Sequence, residues 1–325
     1  MKMTMAQALN ACLGQELARD PDIILLGEDV GRDGGVFRIT EGLYRKYGKE
    51  RVMDTPLAES AIVGASIGMA AMGLRPVPEI QFDGFSFLAY HQVLCHMARM
   101  RNRTRGRFTL PLVLRIPYGG GIKALEHHGE GIESLYAHLP GIVVVAPSSP
   151  YEAKGLLASA LESKDPVVFL EPKKLYRAYK EEVPEERYTI PLGKARLARE
   201  GKDLSIITYG SETPMVLEAA EELEKEGIVA EVVDLRTLNP CDWSTVTESV
   251  RKTGRAVVVH EAVKTLGFAS EIIARINEKA FYHLRAPPKR VTGWDTIIPL
   301  LASEDYFFPD RNRVKAAAKE AMEER

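Results

Sequence analysis

The feature that most limits the fold of this chain is an alternation of two apolar patterns. Short apolar runs, rich in β-branched residues, recur at 23–27, 77–82, 112–116, 142–146 and 167–171, and again at 204–209, 230–235, 256–260 and 290–293. Between them the apolar spacing becomes helical, at 4–19, 149–163, 213–226, 243–252 and 267–279. Strands that are apolar throughout are buried on both faces, and strand–helix–strand order supplies the crossovers that parallel strands need. The pattern therefore predicts an α/β chain with mainly parallel sheets flanked by helices. The rhythm breaks in a charged stretch that contains Pro184 and Pro191. This divides the 325 residues into a first domain at 1–185, a linker at 186–203 and a second domain at 204–325, each domain long enough to bury a core.

A formal net charge of −2 gives no overall pull towards nucleic acid or a membrane surface, and neither is expected as a partner. One basic stretch stands out: Arg99, Arg101, Arg103, Arg105, Arg107, Arg115 and Lys123 lie between Asp83 and Glu126 with no acid among them. Arginines at every second position spread around a helix, so this reads as a solvated or partner-facing surface. Cys12, Cys95 and Cys241 are far apart and form no CxxC pair, which fits a reducing compartment. The first residues lack the basic-then-apolar layout of a signal peptide, so a cytoplasmic setting is expected.

Two segments carry candidate chemistry. In Asp54-Thr55-Pro56-Leu57-Ala58-Glu59, one carboxylate stands at the mouth of an apolar helix lined with small residues. Burial there would favour the protonated carboxyl and let it donate a proton at neutral pH. The plainer reading makes Thr55 a helix cap with Pro56 at the first position and Glu59 an acid favoured by the helix dipole. Gly64 and Gly68 lie four apart on this helix, and each costs about 1 kcal/mol relative to alanine, a cost usually accepted for close approach of a backbone or ligand. The second segment is Gly119-Gly120-Gly121-Ile122-Lys123-Ala124-Leu125-Glu126-His127-His128-Gly129-Glu130-Gly131, which follows an apolar strand. Loops at strand ends of open α/β sheets bind ligands. No phosphate-loop spacing is present, and the adjacent histidines do not match a helical zinc motif, leaving a binding loop, a metal site or a mobile polar loop open.

The segment from Asp54 to Pro76 resembles the pyrimidine-binding segment of the β subunit in thiamine-diphosphate-dependent 2-oxoacid dehydrogenases, the E1 component. The run Ala137-His138-Leu139-Pro140-Gly141-Ile142 also resembles that family and sets a gap-free register. So do Glu79-Ile80-Gln81-Phe82-Asp83-Gly84-Phe85, Leu25-Leu26-Gly27-Glu28-Asp29-Val30-Gly31 and Val233-Asp234-Leu235-Arg236-Thr237-Leu238-Asn239-Pro240. The resemblance implies a transketolase-like pyrimidine-binding domain followed by a transketolase C-terminal-type domain. It implies that Glu59 protonates the cofactor's aminopyrimidine and that His128 contacts the 2-oxoacid and assists acyl transfer to lipoamide. Glu28, Leu57, Gln81 and Phe85 are then cofactor contacts, Glu28 within an acidic network. A potassium ion would be held by carbonyls of Leu112, Ala160 and Leu161 and by the side chains of Ser163 and Asp165, Ser163 standing where the family has aspartate. Residues 129–133 also depart, reading Gly-Glu-Gly-Ile-Glu instead of Ser-Gln-Ser-Pro-Glu.

The GDG signature that, with a later asparagine, holds the metal of thiamine diphosphate does not occur in this sequence. The resemblance therefore implies half an active site, completed by an E1 α subunit that holds Mg2+ in an α2β2 heterotetramer and serves an E2 lipoyl acyltransferase. The run Glu171-Pro172-Lys173-Lys174-Leu175-Tyr176-Arg177 favours a branched-chain 2-oxoacid substrate, with pyruvate or acetoin dehydrogenase β subunits, or a non-catalytic scaffold subunit, as alternatives.

Overall fold

The computed structural model describes residues 1–324. In chain order its strands are β1 (Lys2–Met3), β2 (Ile23–Gly27), β3 (Val52–Asp54), β4 (Arg75–Glu79), β5 (Val113–Tyr118), β6 (Val143–Val145), β7 (Val167–Pro172), β8 (Glu181–Glu182), β9 (Arg196–Arg199), β10 (Leu204–Thr208), β11 (Ala230–Asp234), β12 (Thr237–Asn239), β13 (Ala256–Val263) and β14 (Lys289–Gly293). Seven form one sheet in the order β12-β6-β7-β5-β4-β2-β3, five form a second in the order β14-β13-β10-β11-β9, and β1 pairs with β8. Within the two large sheets pairing is parallel, except where β9 and β12 add antiparallel edges. The helix-flanked parallel architecture expected from the alternation is the one found.

The prediction of a strand at 77–82 is shifted, because β4 begins at Arg75 and takes in Pro76 and Pro78. Arg75 N donates to Asp22 O on the β2 side. Backbone alternation then turns the missing N–H groups of both prolines towards β5. The β4–β5 ladder is accordingly reduced to Glu79 opposite Arg115. Two prolines are tolerated in an interior strand because one of its neighbours asks little of it.

The helix Met5–Arg19 opens on a capping box between Thr4 and Gln7 and packs against the helix Pro150–Glu162 over one face of the first sheet. The other face shares a core with the second domain: Leu114 and Ile116 belong to one cluster with Ile207, Val233, Leu238, Val258 and Phe268. Residues 186–203, expected as a linker, are instead built into both domains. Ile190 packs in the first core, where its N–H and C=O both bond Ser159 Oγ, and Arg196–Arg199 is the edge strand of the second sheet. The chain leaves the second sheet after β11, adds β12 to the edge of the first sheet beside β6, and returns. Among the described residues no helix is long and apolar enough to cross a membrane, and the three cysteines are free thiols.

Candidate active site

Four adjacent parallel strands, β3, β2, β4 and β5, end on the same side of the first sheet, where open α/β sheets bind ligands. Glu28 directly follows β2, Glu59 opens the helix after β3, Gln81 and Phe85 follow β4, and His128 lies in the loop after β5.

Glu59 is buried at the first position of the helix Glu59–Ala71. Thr55 does not cap this helix, contrary to the plainer expectation. Its N–H bonds Gly27 O, prolonging the β2–β3 pairing, and the N-cap position is Ala58, which makes no side-chain cap. The close approach expected at Gly64 and Gly68 is not made within this chain: a Cβ at Gly64 would meet Gln92 at an ordinary 3.6 Å, and one at Gly68 would meet nothing.

The turn that carries Glu28 is fixed by Asp54, whose carboxylate accepts Gly31 N at 2.6 Å and Arg32 N at 3.1 Å. A Cβ on Gly31 would stand 2.7 Å from those same oxygens, so glycine is required there. Glu28 is buried, and neither carboxyl oxygen has a hydrogen-bond partner. Its pKa is pushed up to about 7, first by burial and then by the charges of Glu59 and Asp29. Gln81 donates to Asp29 Oδ2 at 2.9 Å and to Glu28 O at 3.4 Å. Leu57, by contrast, is 81% exposed.

His128 is held by aromatic rings. Phe82 stacks on it, with centroids 4.1 Å apart and planes at 22°, and Phe85 meets it edge-on at 5.0 Å and 83°. Burial and then the neighbouring His127 lower its pKa, which favours the neutral imidazole. Its Nδ1 is buried with no partner. The site thus presents two unpartnered polar groups, an acid that still holds a proton near neutrality and a neutral imidazole. Among the described residues no three His, Cys, Asp or Glu side chains are placed to hold a metal ion, so the metal reading of this loop has no support.

Residues 1–178 match the family described as transketolase, pyrimidine binding domain, and residues 193–314 that described as transketolase, C-terminal domain. The chain is 53% identical over 314 residues to the pyruvate dehydrogenase E1 component subunit beta of Acholeplasma laidlawii, covering 97% of this chain and 96% of that one. It is 52% identical over 322 residues to the subunit of the same name in Bacillus subtilis (strain 168), covering 99% of each. The chain belongs to the E1 β-subunit family of thiamine-diphosphate-dependent 2-oxoacid dehydrogenases. Among solved structures, a split-gene transketolase described as an inactive β4 tetramer shares the fold, with a TM-score of 0.81 over 99% of both chains at 23% identity.

One expectation drawn from the E1 β family, the potassium site, falls on groups that already have partners in this chain. The potassium residues lie at the opposite ends of the strands, before β5 and β7, and their donors are already engaged. The Leu161 carbonyl accepts the Arg75 guanidinium, which also reaches Ser163 O at 3.4 Å. The Asp165 carboxylate pairs with Arg101. Leu112 O accepts Val167 N, Ala160 O accepts Ser163 N, and Ser163 Oγ closes a turn with Asp165. A fixed guanidinium beside the carbonyls repels a second cation, and Ser163 removes the acid that would offset it. The thermal unfolding midpoint is therefore expected to be the same in potassium and in sodium at equal ionic strength. A rise that saturates with potassium alone would reinstate the site.

Three residues around this E1 β site were not read from the sequence. Phe82 lies under His128. Asp83 is buried, pairs with Lys173 and accepts Glu130 N at 2.6 Å. Glu304 reaches the His128 loop from the second domain, accepting Gly121 N at 2.8 Å and Lys123 N at 2.7 Å. The Phe82-Asp83-Gly84-Phe85 run held a signal only for Phe82, a second ring beside Phe85 at a strand end; Asp83 and Glu304 had none.

Proposed function

We propose that this chain is the half of an E1 active site that receives the pyrimidine end of thiamine diphosphate, and that an α subunit completes it in an α2β2 heterotetramer. The observation that carries this reading is the buried, unpartnered Glu28 carboxyl beside Glu59 at the strand ends. Buried polar atoms rarely stay without partners, and an incoming ring with hydrogen-bonding edges would satisfy them. With no GDG signature in the sequence, the diphosphate and its Mg2+ are assigned to the α subunit. The exposed Ala61, Ala65 and Gly68 face of the helix after Glu59 leaves room for a closely packed partner.

When bound, thiamine diphosphate supplies the nucleophilic carbon and the electron sink for loss of carbon dioxide from a 2-oxoacid. Glu59 shares a proton with the pyrimidine nitrogen, acting as the general acid–base group. Glu28 extends this into an acidic network, and Leu57, Gln81 and Phe85 are assigned to cofactor contacts. His128, neutral and held between two phenyl rings, orients the substrate carboxylate and handles the proton during acyl transfer to lipoamide on an E2 acyltransferase. The cytoplasm is the proposed setting, where free Cys12, Cys95 and Cys241 persist.

The substrate proposed is pyruvate. The branched-chain expectation rested on the run from Glu171 to Arg177, but its side chains serve the fold. Glu171 binds Arg115 and Tyr176, Lys173 binds Asp83, Leu175 and Tyr176 are core, and Arg177 bonds Phe37 O. The relatives at 50–53% identity are named for pyruvate. The chain, co-purified with its α subunit and supplied with thiamine diphosphate and Mg2+, is expected to decarboxylate pyruvate with kcat/KM at least about tenfold above that for 2-oxoisovalerate. Preference for 2-oxoisovalerate or acetoin would replace the substrate assignment. No turnover of any of them, or no α subunit in the purified material, would favour the scaffold reading.

A further inference from the structure

The loop that carries His128 is held from both domains. It leaves β5 with backbone in the left-handed region at Gly119 (φ 78°), Gly121 (φ 89°) and Lys123 (φ 57°). Lys123 has no glycine's freedom there, so other contacts must hold it in place. Its two ends are pinched by Gly119 N donating to Glu130 O at 3.2 Å. At the Glu130 end the hold is Asp83 of the first domain, itself locked by Lys173.

At the other end the hold comes from the 3-10 turn Leu301–Tyr306 of the second domain. Both carboxylate oxygens of Glu304 are spent on backbone: Oε1 accepts Gly121 N at 2.8 Å and Oε2 accepts Lys123 N at 2.7 Å. Glu304 is 3% exposed, and among the described residues it makes no ion pair, so its side chain serves these two N–H groups. The segment around it closes over the same loop. A Cβ on Gly120 would fall 2.0 Å from Phe308 Cζ, and one on Gly129 would meet Ile298 at 3.4 Å. A surface cap would leave its carboxylate in water; this one is buried, bidentate and set on a loop whose backbone is otherwise strained. Charge-assisted bonds of this kind are about twice as strong as neutral ones.

We propose that Glu304 is a positioning residue of the E1 reaction: it fixes the 119–131 loop in the conformation that presents His128, so the second domain sets the acyl-transfer step. This rests on the role proposed above for His128. In the assembled α2β2 enzyme, Glu304→Ala is expected to speed hydrogen exchange of the Gly121 and Lys123 amides by about tenfold or more. Reductive acylation of a lipoyl domain should fall by about ten- to a hundredfold, while decarboxylation read with an artificial electron acceptor changes by less than about threefold. Glu304→Gln keeps one accepting oxygen and should lie between the alanine variant and the parent in both readouts, which also covers an alanine variant that does not assemble. Unchanged exchange in the loop overturns the proposal, whatever the activity. So does faster exchange with acylation intact, or an equal loss of acylation and decarboxylation. His128→Ala, assayed alongside, separates the two claims: if it acylates lipoamide normally, the role of His128 fails, and the exchange data still report whether Glu304 holds the loop.

Discussion

Replacing Glu59 by glutamine is expected to lower decarboxylation by the assembled enzyme about 10²–10⁴-fold, the range general acid–base groups supply, while leaving the fold in place. The two halves of that expectation have separate causes. Glutamine keeps the size and hydrogen-bonding ability of the side chain at the start of the helix Glu59–Ala71, so packing is retained. The lost carboxylate–dipole interaction costs only about 0.3–1 kcal/mol. What glutamine cannot do is give up and take back a proton. Glu28 stands beside it with a pKa near 7, which is low enough to titrate in the assay range but belongs to a group attached to a different strand end. The measurement is carbon dioxide release under saturating cofactor, with the unfolding midpoint recorded on the same samples. Turnover within about twofold of the parent would remove Glu59 from the proton-transfer role.

Replacing Arg115 by methionine is expected to destabilise the chain by about 3–5 kcal/mol, the cost of breaking a buried ion pair from one side. The Arg115 guanidinium is 1% exposed and lies in the middle of the first sheet between two buried acids. Nη1 meets Glu79 Oε2 at 2.6 Å, while Nε and Nη2 grip Glu171 at 2.6 and 2.9 Å. Tyr176 Oη donates to the same Glu171 at 2.6 Å. Burial would lower the Arg115 pKa, but the two carboxylates more than offset it and raise it. Methionine would leave two uncompensated acids in the core. Glu79 already has a raised pKa from burial, and removing the cation raises it further. A carboxyl whose folded pKa lies above its unfolded value favours the folded state in acid and loses that contribution as pH rises through the folded pKa. The deficit of the variant should therefore be largest above neutrality and shrink as pH falls. Unfolding midpoints of parent and variant at pH 8 and pH 5.5 test this. Adding Glu79→Gln and Glu171→Gln should recover much of the loss at pH 8, since neutral partners need no cation. A deficit independent of pH would mean that lost packing, not stranded charge, is responsible.

What was legible in the sequence was whatever depended on local pattern. The parallel sheets follow from apolar runs such as 167–171 and 256–260, because a strand covered on both faces has no polar side to show. What escaped depended on partners distant in the chain. Thr55 has every local mark of a helix cap, but its N–H belongs to Gly27 of a neighbouring strand. Strands β3 and β12, three residues each, are too short for any periodicity to show. The charged, proline-bearing stretch at 186–203 has the composition of a tether, while Ile190 and Arg196–Arg199 are tied down by tertiary contacts that composition does not carry. Asp83, set between phenylalanines, and Glu304, in a polar turn, look like solvated acids. Their burial follows from Lys173 and from amides that lie as far as 183 residues away. The potassium residues match in register, yet Arg75 reaches them from a different strand.

Strand β12 has a mechanical meaning. Because the chain passes from the second sheet into the edge of the first and back again, the two domains are stitched by backbone hydrogen bonds as well as by side chains. Ala146 N bonds Arg236 O, and Asn239 Nδ2 ties down the carbonyls of Leu139 and Ile142. A hinge between the domains would have to unzip that edge on every turnover. The rigid frame leaves movement to the scale of loops, and it makes the first sheet complete only when the second domain lends it β12.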